Sequence, residues 1–158
     1  TDAEALEVLK IGSQVEIIEQ TEVKMMYRGI NSPWYKVKVE HQTGYILGSL
    51  LSLSKVDIHY KTLTCFINYE KINSKLHIII RLFPDSSSTY FENTSPFFGD
   101  HSGFVLTIYD NKGLDGVNNI LFINYMPESC GANSGGYYLF FDGKQKYIFL
   151  LKKYYPFL

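Results

Sequence analysis

Trp34-Tyr35-Lys36-Val37-Lys38-Val39 is followed at short range by Gly44-Tyr45-Ile46 and then by Leu50-Leu51. An aromatic pair opens a strand rich in lysine and valine, a glycine turn follows, and the returning strand ends on apolar residues. Successive strand side chains point to opposite faces, so Trp34, Lys36 and Lys38 share one side while Tyr35, Val37 and Val39 share the other. Such a pattern predicts a small antiparallel barrel built on one Trp, a shape suited to binding rather than to catalysis.

Working upstream, Lys10-Ile11-Gly12-Ser13 is a turn feeding the alternating strand Gln14–Glu19. Residues 20–33 are expected to form a looser arm broken by Gly29, Asn31 and Pro33. His41-Gln42-Thr43-Gly44 is the expected tight turn before Tyr45–Leu47. Val15, Ile17, Val37, Val39 and Ile46 are the expected core of this unit. The chain then crosses a short join near Ser52–Lys55, too brief and too poor in Gly and Ser to act as a free linker, so the two parts are expected to pack together.

Downstream the aromatic content changes. Residues 1–54 hold four aromatics and residues 55–158 hold the other twenty-one. Aromatics favour strands and bury large areas, which predicts a Tyr/Phe-packed antiparallel β-sandwich or curled sheet over 55–158. Its strands are read at 62–68, 75–83, 103–109, 120–125, 137–141 and 146–152, with a long polar stretch from Pro84 to Asp100. Asp142-Gly143 accepts the positive φ angles of a tight hairpin turn between the last two strands. The expected fold class is all-β, with residues 1–54 as a small barrel and 55–158 as the second domain.

The elements of the first third resemble, in order, the bacterial SH3-type domain. They are Thr1–Leu6 before Val8-Leu9-Lys10-Ile11-Gly12, then Val15-Glu16-Ile17-Ile18-Glu19, Trp34-Tyr35-Lys36-Val37 and Gly44-Tyr45-Ile46. In that family a short strand comes before this point, so the first strand is expected to be lost by processing or truncation or to lie outside the sequence. The resemblance implies a barrel found in envelope and secreted bacterial proteins, and hence an extracytoplasmic location: periplasmic, secreted or surface-anchored. It also implies a peptide or protein ligand, peptidoglycan peptide included. The Ala-Leu-Tyr-Asp-Tyr and Trp-Trp marks of proline-binding relatives are absent, so proline-rich ligands are not implied. Tyr27, Trp34, Tyr35 and Tyr45 are the candidate ligand-binding residues, because flat rings with polar tips suit a peptide or a sugar. Against this stands the plainer expectation that Trp34 and one Tyr pack the barrel.

Net charge is −1, with seven acids and five Lys/Arg in residues 1–54 and nine acids and ten Lys/Arg in the rest. Neither part has the basic excess that neutralises a phosphate backbone, so nucleic acid is not an expected partner. No apolar run reaches the ~18 residues of a membrane-spanning helix, and no transmembrane segment is expected. Cys65 and Cys130 allow either a disulfide or two buried thiols.

The alternative function is a cysteine hydrolase acting on cell-wall peptides, with Cys130, His101 and Asp100 as its site. It needs a thiol with an imidazole base, yet no His follows Cys130 and Cys65 lacks an Asp-Cys-Ser-Gly context. Gly99-Asp100-His101-Ser102-Gly103 shows no assembled triad. The four His stand at 41, 59, 77 and 101 without zinc-ligand spacing. In Asp110–Gly116, Lys112 and Leu114 stand where a calcium loop needs oxygen ligands, so a surface turn is expected. Cys130–Gly136 lacks the Gly-Lys-Ser/Thr of a phosphate loop, and its glycines are expected to serve turns or close approaches. The expectation is a non-catalytic binding protein of the bacterial cell envelope, without metal or cofactor.

Overall fold

Alternating apolar and polar residues become strand along almost the whole chain. The computed structural model describes residues 5–58, 63–84, 89–97, 104–125, 134–142 and 147–155. The strands are β1 (Glu16–Tyr27), β2 (Ile30–Val39), β3 (Gln42–Leu47), β4 (Ser54–Ile58), β5 (Leu63–Ile72) and β6 (Lys75–Pro84). They continue with β7 (Phe91–Pro96), β8 (Phe104–Asp110), β9 (Asn119–Tyr125), β10 (Ser134–Phe141) and β11 (Tyr147–Tyr155). A 3₁₀ turn at Gly48–Leu50 is the sole helical element among the described residues. The all-β expectation holds.

Three antiparallel meanders result, ordered β1-β2-β3, β4-β5-β6-β7 and β8-β9-β10-β11. Each strand pairs with its neighbour in sequence, as short turns favour. Two hairpins carry the signature that such turns require. Arg28-Gly29 (φ 47° and 75°) and Asn73-Ser74 (φ 50° and 63°) each place two left-handed residues between the pairs Tyr27↔Ile30 and Ile72↔Lys75. Their twist matches that of the strands they join.

That first hairpin corrects the loose arm expected over residues 20–33, because Gly29 turns the chain and the segment is strand on both sides. Pro33 lies within β2, opposite Lys24, beside a register shift between Gln20 and Lys24. An already irregular ladder tolerates the missing N–H. The following turn is also one step earlier than expected, at Glu40-His41, with Gln42 already paired to Val39.

The β4–β7 and β8–β11 sheets face each other as a sandwich. Leu63, Cys65 and Ile67 of β5, Ile78, Ile80 and Leu82 of β6, and Leu121, Ile123, Leu139 and Phe141 of the other sheet form one core. All are 3% exposed or less. Alternate positions of β5, β6, β9 and β10 point inward, as a two-layer packing demands. Tyr137 is buried in the same core, and its hydroxyl donates to the carbonyl of Pro96, tying the two sheets together at a satisfied polar contact. Phe122 stacks on Tyr138 on the outer face at 4.2 Å between centroids.

Two strands escaped the sequence pattern. β4 lies in the segment taken as a join, and β7 lies inside the polar stretch Pro84–Asp100. β7 reads Phe91-Glu92-Asn93-Thr94-Ser95-Pro96, an edge strand whose composition is that of a loop. Its backbone pairs with β6 and Arg81 bonds Glu92 at 2.6 Å, which fixes it without apolar alternation. The final hairpin pairs as expected, although residues 143–146 of its turn lie outside the described residues.

The first sheet differs from its expectation. Closure into a barrel is not among the pairings of the described residues, and β1 and β3 are the two edges of an open sheet. Val37 is buried at 4%, Val15, Val39 and Ile46 are half-buried, and Ile17 is 55% exposed. Ile17 was misassigned to the core because β1 has no strand beyond it, so its alternation marks no buried face.

Polar contacts join this sheet to the sandwich. The backbone of Ser49 donates to Ser32 Oγ at 2.9 Å and accepts from Asn68 Nδ2 at 3.1 Å. Both side chains are 8% exposed. The N–H of Lys71 donates to the carbonyl of Arg28 at 3.0 Å, and Arg28 reaches Glu70 at 3.3 Å. Asn68→Ala leaves a buried carbonyl without its donor, which costs about 1–3 kcal/mol. The expected result is a lower urea midpoint with an unchanged slope, and a midpoint equal to wild type refutes the joint.

Candidate functional site

The four candidate aromatics do not converge. Trp34 and Tyr45 share a face of the first sheet, diagonal to each other through the pairs Trp34↔Leu47 and Lys36↔Tyr45. Tyr35 is on the opposite face, opposite Ile46. Its ring lies so close to Gly48 that a Cβ there would come within 2.8 Å, and its hydroxyl donates to Gln20 Oε1 at 2.8 Å. Tyr35 therefore packs and braces the sheet. Tyr27 pairs with Ile30, four residues along β2 from Trp34, roughly 13 Å away at strand rise. Of the four, Tyr45 is the most open, at 61% exposure.

Tyr27 does border something else. The guanidinium of Arg28 lies over its ring at 5.7 Å, at the tip of the β1–β2 hairpin. That tip forms one wall of an open groove of ≈ 920 Å³ between the first sheet and the sandwich. Met26, Gly29, Ile30 and Asn31 belong to this wall. Phe104, Val105 and Leu106 of β8 form the other. Tyr69 and Lys71 of β5, with Leu53 and Ser54, line the rest.

Three consecutive residues of one strand point alternately to its two faces. They can all border one space where that space runs past the strand's edge or its end. Phe104-Val105-Leu106 meet this condition, and β8 pairs only with β9, so its other edge has no strand among the described residues. The groove lies along this strand and is lined largely by apolar side chains. Val105 is 47% exposed, Met26 63% and Leu53 53%, more apolar surface than an edge usually shows.

Electrostatically the groove is simple. Lys71 is its sole charged lining residue among those described. Glu70, whose side chain is 15% exposed, is engaged by Arg28. The residues needed to see this groove were present in the sequence, in Met25-Met26-Tyr27-Arg28-Gly29 and Phe104–Tyr109. What was missing was their distance, since they meet only through the docking of one sheet on another.

The candidate chemistry looks different. Cys65 is a free thiol with no exposure, and burial pushes it up to about 12. It is a core residue and not a nucleophile. Asp100, His101 and Cys130 lie outside the described residues. Asp110–Gly116 is an exposed surface turn, as expected, in which Asp110 Oδ1 accepts from the N–H of Lys112 and Asn111 Oδ1 from that of Gly113. Hydrogen bonds and the charge of Lys112 hold the Asp110 carboxyl below its usual range. The glycine run does serve a close approach, since Gly136 lies against the carbonyl of Ile123. No helix among the described residues is long and apolar enough to cross a membrane. No family model, curated protein or solved structure matches this chain.

Proposed function

We propose that this chain is a non-catalytic binding protein that takes an extended segment of a protein partner as an added strand along β8. The observation that carries this is the run Phe104-Val105-Leu106, which lines an apolar groove and belongs to a strand whose second edge pairs with no strand among the described residues. In strand addition the backbone ladder supplies affinity, and alternate ligand side chains fill the neighbouring pocket. β8 has seven residues, enough for several ladder bonds. Met26, Ile30 and Leu53 supply the apolar wall on which those side chains rest.

A protein segment fits this edge better than a cell-wall stem peptide. Strand pairing needs a run of residues of one hand, and the stem peptide is short and of mixed chirality. The bacterial envelope and an extracytoplasmic setting rest on the resemblance of residues 1–54 alone. Under this reading the exposed ring of Tyr45 is a surface residue, and Trp34 contributes to packing.

The test is fluorescence anisotropy with a labelled, capped decapeptide alternating valine and threonine, beside a pull-down on purified peptidoglycan. Val105→Glu places a carboxylate beneath the added strand and is expected to weaken the peptide at least tenfold, about 1.4 kcal/mol. Trp34→Ala and Tyr45→Ala are expected to bind as wild type does. Retention on peptidoglycan that depends on Trp34 and Tyr45, with no effect of Val105→Glu, would overturn the assignment in favour of the wall ligand.

A further inference from the structure

Resting on that groove, we infer that the segment it takes carries a carboxylate, from Asp, Glu or a free C terminus, at the end that reaches Lys71. Three observations lead there. First, Lys71 is the one charged side chain lining the groove among the described residues, so a ligand charge finds either attraction from a cation or no partner. Second, the local count is unbalanced. Arg28 and Lys71 bring two positive charges to the junction, and Glu70 brings one negative charge already bonded to Arg28 at 3.3 Å. Third, the base of the Lys71 side chain is held in place. Its N–H donates to the Arg28 carbonyl at 3.0 Å, and its stem packs so closely on Gly29 that a Cβ on that glycine would come within 2.6 Å.

A fixed stem reduces the side-chain entropy that ordinarily offsets an exposed ion pair. A basic residue at the same position of the ligand would meet Lys71, with no acid among the described lining residues to offset it. The groove thus selects by charge at one end and by apolar fit along the rest.

The experiment compares two Val/Thr decapeptides that differ only in a terminal carboxylate or amide, with a second pair carrying Glu or Gln at the penultimate position. Anisotropy titrations are run at low and high salt against wild type and Lys71→Met, which keeps the aliphatic stem. The acidic member of at least one pair is expected to bind about two- to fivefold tighter at low salt, the range of a partly exposed ion pair. That preference is expected to vanish in Lys71→Met and to shrink at high salt, while the uncharged peptides bind both proteins equally. An unchanged melting temperature shows that Lys71→Met is folded.

Equal binding of acidic and neutral members by wild type overturns the charge selection and leaves the groove assignment standing. A preference that survives Lys71→Met overturns the role of this lysine. Failure of every peptide to bind overturns the groove assignment and this inference with it.

Discussion

Gly136→Ala is expected to destabilise the protein by about 3 kcal/mol or more, and Gly136→Val to leave little of it folded at 25 °C. The residue sits in β10 opposite Asn124, where a Cβ would collide with the carbonyl oxygen of Ile123. It would also come within 2.7 Å of the Phe122 ring and 3.1 Å of the Asn124 Cα. Two of these neighbours are backbone of the adjacent strand, so relief requires β9 and β10 to separate. Those strands bring Leu121, Ile123, Leu139 and Phe141 to the core, and a shift there reaches the whole sandwich. Gly113→Ala is the control. Its φ of +79° makes any side chain strained, yet nothing lies within 4 Å of the added atom. About 1–2 kcal/mol is expected for that conformational strain alone. Urea unfolding followed by circular dichroism separates the two, and equal losses would show that contact with β9 is not what fixes residue 136 as glycine.

The same comparison marks what the amino-acid order reveals and what it hides. Gly136 could be read as a strand-join glycine, because a residue without a side chain next to Tyr137-Tyr138 implies a close neighbour. Ile78-Ile79-Ile80 could be read as strand from β-branching alone. Such features are local, so they are legible. β7 was not, because Asn93, Thr94 and Ser95 belong to strand only through their pairing with β6. Ile17 was misplaced for the opposite reason: its alternation is good, but no layer covers β1.

The groove belongs to a third category. Lys71 and Val105 are unremarkable in sequence, the one beside a polar turn and the other inside an apolar strand. Their significance comes from which strand lies at an edge and from how the Ser32–Ser49–Asn68 contact seats one sheet against another. Aromatic content pointed instead to Trp34, Tyr35 and Tyr45, since exposed rings are the commonest mark of a binding surface. The sheet divides those three between two faces, and Tyr35 is occupied in supporting Gly48. Composition thus drew attention to rings that the fold does not gather on one surface.

Cys65 provides the second large effect, as a loss of stability at alkaline pH. Its thiol is wholly buried, and desolvation raises it from 9.0 to about 12. Because the folded value lies above the unfolded one, the stabilisation is complete below pH 9 and is lost as pH rises toward 12. The unfolded chain gives up its proton first, so base favours unfolding. Three pH units correspond to about 4 kcal/mol, of which roughly a third is gone by pH 10. A Cys65→Val variant shares every other titratable group, so the difference in slope isolates this thiol. Wild type is expected to lose stability more steeply than Cys65→Val between pH 8.5 and 10.5, and parallel curves would refute the desolvation. The same physics bears on function. At pH 7 burial keeps this thiol protonated. In a Cys130→Ser background, alkylation of Cys65 by iodoacetamide is expected to proceed only as fast as the core opens. Reaction in the folded state at the rate of a free thiol would return Cys65 to the candidates for covalent chemistry.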